Sequence, residues 1–99
     1  MRNTILISNE SIDIRNAYKL KEEVQETIDE GYKEVSLDFT NVKRVDSAGI
    51  GKLLVLQKRL QEQGGMLKII NVANKYLRQK FNMIQLHRVI PIVEKATAR

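Results

Sequence analysis

The apolar residues of this chain recur with two different spacings, and the spacing changes several times along the sequence. Alternation of apolar and polar residues is typical of strands, whereas apolar residues three and four apart are typical of helices. Strands are predicted at residues 4–8, 34–39, 67–70 and 89–93. Helices are predicted between Asn16 and Gly31, between Asp46 and Gly64, and over residues 74–85. Residues 12–15 and 40–45 are predicted as connections, and residues 94–99 as a polar tail.

The resulting order is β-α-β-α-β-α-β, in which helices cross over between parallel strands. We therefore predict an α/β fold with a largely parallel sheet of about four strands, in one domain over residues 1–99. Asn16 is predicted to cap the first helix, and Gly31 to end it. Pro91 lacks a backbone N–H, so the last strand is expected at an edge of the sheet or broken at that residue.

Each predicted helix has one apolar face, which is expected to pack on the sheet. The residues of these faces are Ala17, Leu20, Val24 and Ile28 in the first helix, Ile50, Leu53, Leu54, Leu56 and Leu60 in the second, and Leu77, Phe81 and Ile84 in the third. The opposite face of the first helix is charged, as a solvent-facing surface requires; it carries Lys21, Glu22, Glu26 and Asp29.

The composition excludes several classes of protein. The 99 residues include no cysteine, which excludes disulfide frameworks, cysteine nucleophiles and thiolate metal sites. His87 is the only histidine, so neither a His-rich metal site nor a Ser-His-Asp triad is expected. No segment approaches the roughly 20 apolar residues of a membrane span, and no signal peptide is evident. We therefore expect a cytoplasmic protein that does not cross the membrane.

The net charge of +5 is concentrated in the last third of the chain. Residues 66–99 carry seven basic residues and one acidic residue, whereas residues 1–65 carry 10 basic and 11 acidic residues. Such asymmetry can attract nucleic acid, here through Lys75, Arg78 and Lys80. Because no aromatic stacking platform accompanies the charge, solubility is the favoured interpretation, and nucleic acid binding is not expected.

One segment between a strand and a helix carries candidate chemistry, and its sequence is Asp46-Ser47-Ala48-Gly49-Ile50-Gly51. Asp and Ser both cap the free N–H groups of a helix start. The two glycines are poor helix formers, each costing roughly 1 kcal/mol relative to alanine. They strip side chains from the first turn, so another molecule can approach the backbone. A hydroxyl at the positive end of a helix is also well placed to carry a phosphate.

Other interpretations of this segment remain. The simplest is an N-cap followed by close packing of the helix on the sheet, since short motifs often occur by chance. A P-loop is excluded because the pattern G-x-x-x-x-G-K-[ST] is absent and Lys52 follows Gly51 without the required spacing. A nucleophile elbow is excluded because Ser47 lacks the G-x-S-x-G frame.

In this α/β context the segment from Val45 to Leu54 resembles the signature of STAS domains of the bacterial anti-sigma factor antagonist type. The family pattern is Asp, then Ser or Thr, a small residue, Gly, an aliphatic residue and Gly, followed by leucines. Residues 12–17, with Leu20 and Val24, are similar to the family's segment entering the first helix. Gly64-Gly65 before a hydrophobic strand is a third match. The resemblance covers residues 4–93.

The resemblance implies a phosphorylation switch rather than an enzyme. Ser47 would be phosphorylated by the anti-sigma factor itself, a serine kinase that holds ATP and Mg²⁺ in its own pocket, so no cofactor is expected here. The unphosphorylated form would bind the anti-sigma factor and release a sigma factor, and a PP2C-type phosphatase would restore the serine. The partner-binding residues implied are Asp13, Asp46, Ser47, Ala48, Gly49, Gly51 and Lys52.

The resemblance also suggests individual roles within the motif. Asp46 would cap the helix and leave the Ser47 hydroxyl pointing outward, while Ala48 and Gly49 leave room for the kinase. Ile50 and Gly51, with Leu53 and Leu54, would anchor the helix on the sheet, and Lys52 would reach an acidic surface of the partner. An alternative keeps the fold without the switch: a STAS subunit of a lipid-transport or stress-signalling complex.

Overall fold

The structure, a computed structural model, describes residues 3–93 and confirms the predicted order of the helices and of the strands of the main sheet. The strands are β1 (Thr4–Leu6), β2 (Ser11–Ile12), β3 (Glu34–Asp38), β4 (Arg44–Val45), β5 (Met66–Ile70) and β6 (Ile92–Val93). The helices are α1 (Ala17–Asp29), α2 (Ser47–Glu62) and α3 (Lys75–Met83), followed by a 3-10 turn at Leu86–Arg88. The predicted polar tail at residues 94–99 lies outside the described residues.

The main sheet has four strands in the order β1-β3-β5-β6, and every neighbouring pair is parallel. The predicted α/β class with a largely parallel sheet is therefore confirmed. β6 is an edge strand that begins directly after Pro91, as the missing N–H requires. The predicted strand over residues 89–93 is too long, because the N–H groups of Val89 and Ile90 bond to the carbonyl of Leu86 and continue a turn.

A second, two-stranded sheet pairs β2 with β4 in parallel, with Ser11 opposite Arg44 and Ile12 opposite Val45. The prediction of plain connections at residues 12–15 and 40–45 is wrong at these positions. A strand of two residues has no measurable period, so hydrophobic spacing does not reveal it. This small sheet matters for function because α1 follows β2 and α2 follows β4, which brings the two helix starts together.

The core is built on the two central strands of the main sheet. Val35 and Leu37 of β3, and Leu67 and Ile69 of β5, are completely buried. The predicted apolar faces of the helices cover them, and Phe39 meets Phe81 edge to face with ring centroids 6.0 Å apart. Gly31 follows α1 with φ of +104°, the left-handed conformation expected of a glycine after a helix.

Three side chains differ from their predicted environment. Leu54 and Ile84, assigned to apolar faces, are exposed. Gln57, which the pattern left unassigned, is completely buried in α2. Its side chain accepts from the backbone N–H of Leu67 at 2.8 Å and donates to the carbonyls of Leu67 and Val89 at 3.0 Å each. These bonds satisfy the buried amide, which is the condition for placing a polar group in a core.

Within residues 3–93, no helix is both long enough and apolar enough to cross a membrane.

Candidate functional site

The small sheet places the starts of α1 and α2 side by side. Ile12 lies opposite Val45, so the residues that follow them, Asp13 and Asp46, are neighbours. The backbone N–H of Asp46 donates to the carbonyl of Ile12 at 3.2 Å, which extends the pairing by one residue. Two candidate site residues more than thirty positions apart in the sequence thus belong to one surface.

The start of α2 has the predicted cap. Asp46 has extended backbone angles, and its Oδ1 accepts from the N–H of Gly49 at 2.8 Å. Its carbonyl accepts from the N–H of Ile50 at 2.9 Å, the first bond of the helix. Because Asp46 performs the capping, the hydroxyl of Ser47 is not needed for it. Ser47 is the first residue of the helix and is exposed.

The outward face of α2 near Ser47 is unusually free of large polar side chains. Ala48 and Gly51 are exposed, and one turn further along the helix Leu54 and Val55 are 37% and 49% exposed. Residues three and four apart share a helix face, so this set is continuous with Ser47. We refer to these five residues, Ser47, Ala48, Gly51, Leu54 and Val55, as the α2 surface. Lys52 is half-buried at its border.

The two glycines of the motif have different environments. A Cβ on Gly49 would lie 2.5 Å from the carbonyl oxygen of Ile12 and 2.8 Å from Cγ1 of Val45, so α2 rests directly on the small sheet at this point. The room at Gly49, expected to accommodate a kinase, is filled by the protein's own backbone. A Cβ on Gly51 would meet no atom of the described residues within 4 Å. The expectation that Gly51 anchors the helix on the sheet is therefore wrong.

The polar side chains at the start of α1 form hydrogen bonds within the preceding turn and with β2. Asn16 occupies the predicted N-cap position, but its side chain makes no capping bond to the helix. Its Oδ1 instead accepts from the N–H of Asp13 at 3.0 Å, and its Nδ2 donates to the carbonyl of Ser11 at 2.7 Å. The side chain therefore bridges β2 and the turn before the helix.

Asp13 is bound by a cation from its own turn. Its carboxylate accepts from the backbone N–H of Arg15 at 3.0 Å and from the guanidinium at 3.2 Å (Nε) and 2.7 Å (Nη2). The side-chain hydrogen bonds from Arg15, then its backbone N–H, lower the pKa of Asp13 below its usual value, with a smaller contribution from Arg44. Asp13 is therefore a carboxylate that is already paired, and a partner reaching it also meets Arg15.

Lys80 connects α3 to the candidate site, a contact that the sequence analysis missed. Its Nζ donates to the carbonyl of Val45 at 2.6 Å, immediately before the Asp46 cap. Next to it lies an open groove of about 300 Å³ between β4 and α3, rimmed by Lys43, Arg44 and the exposed ring of Tyr76. No local signal identifies such a bond, because it joins residues 35 positions apart.

Two of the three cations considered for nucleic acid binding have internal roles. Lys80 holds the carbonyl of Val45, and Arg78 donates from Nη1 to the carbonyl of Val72 at 3.0 Å. Only Lys75 of that trio has no bond of this kind among residues 3–93. The basic face of α3 is thus partly used to hold the structure together.

Comparison with known proteins identifies relatives over nearly the whole chain. The family model of the STAS domain matches residues 2–97. A Thermotoga maritima protein named as a candidate anti-sigma factor antagonist is 25% identical over 91 residues, which are 91% of this chain and 80% of that protein. The crystal structure under that description has a TM-score of 0.77 at 19% identity, covering 97% of this chain and 83% of the other.

Two further solved structures share the fold. A sulfate transporter family protein from Wolinella succinogenes has a TM-score of 0.76 at 19% identity, covering 95% of this chain and 79% of the other. The anti-sigma factor antagonist SpoIIAA in its unphosphorylated form has a TM-score of 0.66 at 20% identity, covering 98% and 84%. The same fold therefore occurs in an anti-sigma factor antagonist and in a protein of the sulfate transporter family.

Proposed function

The chain belongs to the STAS domain family, and from that premise we propose that it is an anti-sigma factor antagonist switched by phosphorylation of Ser47. The unphosphorylated chain binds an anti-sigma factor that is also a serine kinase, and a sigma factor is released. Phosphorylation ends the binding, and a PP2C-type phosphatase reverses it. ATP and Mg²⁺ belong to the kinase. The chain acts in the cytoplasm as a substrate and switch, without catalysis or a cofactor of its own.

The observation that carries this proposal is the division of labour between Asp46 and Ser47. Asp46 satisfies the helix start, and the exposed Ser47 next to it makes no capping bond. A phosphoryl group adds about −1.5 to −2 charges. Near a helix N-terminus, that charge is stabilised by the free N–H groups and the helix dipole. The isolated chain can therefore carry the phosphate without changing its fold.

The bound state responds differently to the same charge. A partner that covers the α2 surface removes water from Ser47, and desolvating a phosphate there costs several kcal/mol. A loss of about 4 kcal/mol weakens a nanomolar complex to micromolar affinity. The switch thus requires no rearrangement in the antagonist, only burial of the phosphoryl group at the interface.

Gly51 supports a close approach at this face. A helical glycine costs roughly 1 kcal/mol relative to alanine, and none of residues 3–93 occupies the space where a Cβ on Gly51 would lie. A partner backbone can therefore lie against α2 at Gly51 while its apolar side chains reach Leu54 and Val55. Lys52, half-buried at the border, is available to an acidic group of the partner.

The test uses an anti-sigma serine kinase from the same organism, with ATP and Mg²⁺. We expect mass spectrometry to place one phosphoryl group on Ser47 and none on the exposed Ser8, with Ser8→Ala as the matched control. Ser47→Ala should keep binding and resist switching. Ser47→Asp should weaken binding while the melting temperature stays near wild type. A large loss of stability in Ser47→Asp, or phosphate at other positions only, would contradict the proposal.

A second candidate function is a non-switching STAS subunit of a transport complex, which the structural similarity to the sulfate transporter family protein favours. In that case Ser47→Ala and Ser47→Asp should bind the partner with the same affinity as wild type. Equal affinities for both variants would select the second candidate.

A further inference from the structure

The outer edge of β1 carries free backbone groups. On its inner side, the carbonyl of Asn3 accepts from the N–H of Ser36 at 2.9 Å, and the N–H of Ile7 donates to the carbonyl of Asp38 at 3.2 Å. In a parallel ladder, alternate residues direct both backbone groups to the same neighbour. Residues 3, 5 and 7 therefore face β3, and the N–H and C=O of Thr4 and Leu6 face outward. Within residues 3–93, no strand pairs with this side.

Apart from the short length of β1, which has three residues, this edge lacks the features that usually prevent further strand pairing. Natural edges are protected by charged side chains, proline or bulges, and the opposite edge strand, β6, follows Pro91 and has only two residues. Residues 3–8 contain no charged residue, proline or glycine. The side chain of Leu6 is 59% exposed. Such an edge is suited to pair with an extended segment of another protein.

A groove of about 250 Å³ lies beside this edge, between residues 6–9 and α1. Its floor is apolar and consists of Ile7, Ile12 and Leu20, which are each less than 10% exposed. Alternate side chains of an added strand would point to the α1 side of the sheet and meet this floor. The groove thus offers apolar contact next to the free backbone groups.

The charge of the groove determines what fits it. Its α1 rim carries Glu22, Glu23 and Glu26 against a single cation, Lys19. None of the three glutamates forms an ion pair within the described part of the chain. A segment with lysine or arginine is therefore favoured. A second copy is disfavoured, because antiparallel pairing of two β1 edges would place both α1 helices, with their acidic rims, on the same side of the sheet.

We propose that the β1 edge and its groove bind an extended segment of a partner protein as a fifth strand of the sheet, with apolar residues and lysine or arginine on the same face of that strand. The backbone groups of Thr4 and Leu6 hold the segment, the apolar floor takes the apolar side chains of that face, and the glutamate rim selects its basic side chains. None of these residues belongs to α2, so the chain has a second interaction surface that does not depend on the state of Ser47.

The probe is a capped nine-residue peptide, Val-Thr-Lys-Thr-Val-Thr-Lys-Thr-Val, in which valine and lysine share one face of the strand, and it is compared with a peptide in which glutamate replaces lysine. Both are titrated into the full-length ¹⁵N-labelled chain. We expect the lysine peptide to shift the amide signals of residues 4–8 and to slow exchange of the Leu6 amide. The glutamate peptide should bind at least about tenfold more weakly, a difference of about 1.4 kcal/mol. Equal binding, or shifts confined to other elements, would overturn the proposal.

Charge reversal tests the rim without disturbing the fold. Glu22 and Glu26 are exposed on α1, so Glu22→Lys/Glu26→Lys should reverse the preference in favour of the glutamate peptide. The matched control is Glu62→Lys on α2, which should leave the preference unchanged. Leu6→Pro removes one outward N–H and should abolish binding of both peptides. An unchanged preference in the double variant, or self-association of the chain through β1 without peptide, would refute the proposed occupant.

Discussion

The two helix starts that the small sheet brings together are built differently. At the start of α1, the side chains of Asp13 and Arg15 bond to each other, and the side chain of Asn16 bonds to the backbone of Asp13 and of Ser11 in β2. At the start of α2, Asp46 makes one capping bond, and the next two residues, Ser47 and Ala48, are exposed. Only the start of α2 has a side chain that caps one of its free N–H groups.

The difference shows which residues the fold needs. At α1 almost every polar side chain is used internally, so removing one should destabilise the protein. At α2 the cap and Gly49 are needed internally, whereas Ser47 and Gly51 have no such role. A residue that lowers the stability of the fold and has no internal role, as Gly51 does in α2, is best explained by a binding function.

The largest effect expected from this comparison separates the two glycines of α2. Gly49→Ala places a Cβ 2.5 Å from the carbonyl oxygen of Ile12, which forces the helix away from the small sheet. We expect a loss of about 3 kcal/mol in the free energy of unfolding. Gly51→Ala should instead stabilise by about 0.5–1 kcal/mol, because alanine is the better helix former and the space is open.

Urea unfolding of both variants gives the measurement, and binding of the anti-sigma kinase gives the complementary readout. The proposed close approach requires that Gly51→Ala weakens partner binding even though it raises stability. If Gly51→Ala lowered stability as much as Gly49→Ala, both glycines would be structural, and the distinction between the helix starts would be lost.

Much of the fold was predictable from local spacing, but this distinction was not. The strands of the main sheet and all three helices follow from the pattern of apolar residues, and the cap at Asp46 follows from residue type. The pairing of β2 with β4 depends on contacts between distant segments, and two residues carry no period. The sequence alone does not distinguish Gly49 from Gly51. Their roles differ because the backbone of Ile12 packs against Gly49 and not against Gly51.

The same limit explains the errors at individual side chains. Asn16 precedes a helix and has the residue type of a cap. Its side-chain amide instead donates to the nearby carbonyl of Ser11. Gln57 is polar by type, but the groups that satisfy it come from Leu67 and Val89 on other elements. Residue type predicts what a side chain is able to bond, and the tertiary fold decides which partner it meets.

An effect of intermediate size is expected from removing one polar side chain at each helix start. Asn16→Ala deletes two hydrogen bonds and leaves the N–H of Asp13 and the carbonyl of Ser11 without their partner. We expect it to lower the free energy of unfolding by about 2 kcal/mol. Asp46→Ala deletes a single cap and should cost about 1 kcal/mol. Ser47→Ala should stay within about 0.5 kcal/mol of wild type.

Thermal and urea unfolding of the three variants test this ranking. The order Asn16, Asp46, Ser47 is the specific expectation, because it follows the number of internal bonds that each side chain makes. A cost for Ser47→Ala as large as that for Asp46→Ala would show that the hydroxyl supports the helix, and Ser47 would then no longer stand apart from the fold.

The smallest effect concerns the charge at the start of α1. Arg15→Gln removes the hydrogen-bonded cation that lowers the pKa of Asp13, so that pKa should rise toward its ordinary value near 3.8. A carboxyl whose pKa is lower in the folded state stabilises the protein above its unfolded pKa, and this contribution is lost as pH falls through the folded pKa. The wild type should therefore be slightly more stable than Arg15→Gln at neutral pH, and the difference should disappear in acid.

Carboxyl ¹³C titration by NMR measures the shift in the pKa of Asp13. The control is Lys19→Gln, which removes an exposed α1 cation that does not contact Asp13. An unchanged Asp13 titration in Arg15→Gln would mean that Arg15 does not hold this carboxylate in solution. The carboxylate of Asp13 would then be available to a cation of the partner.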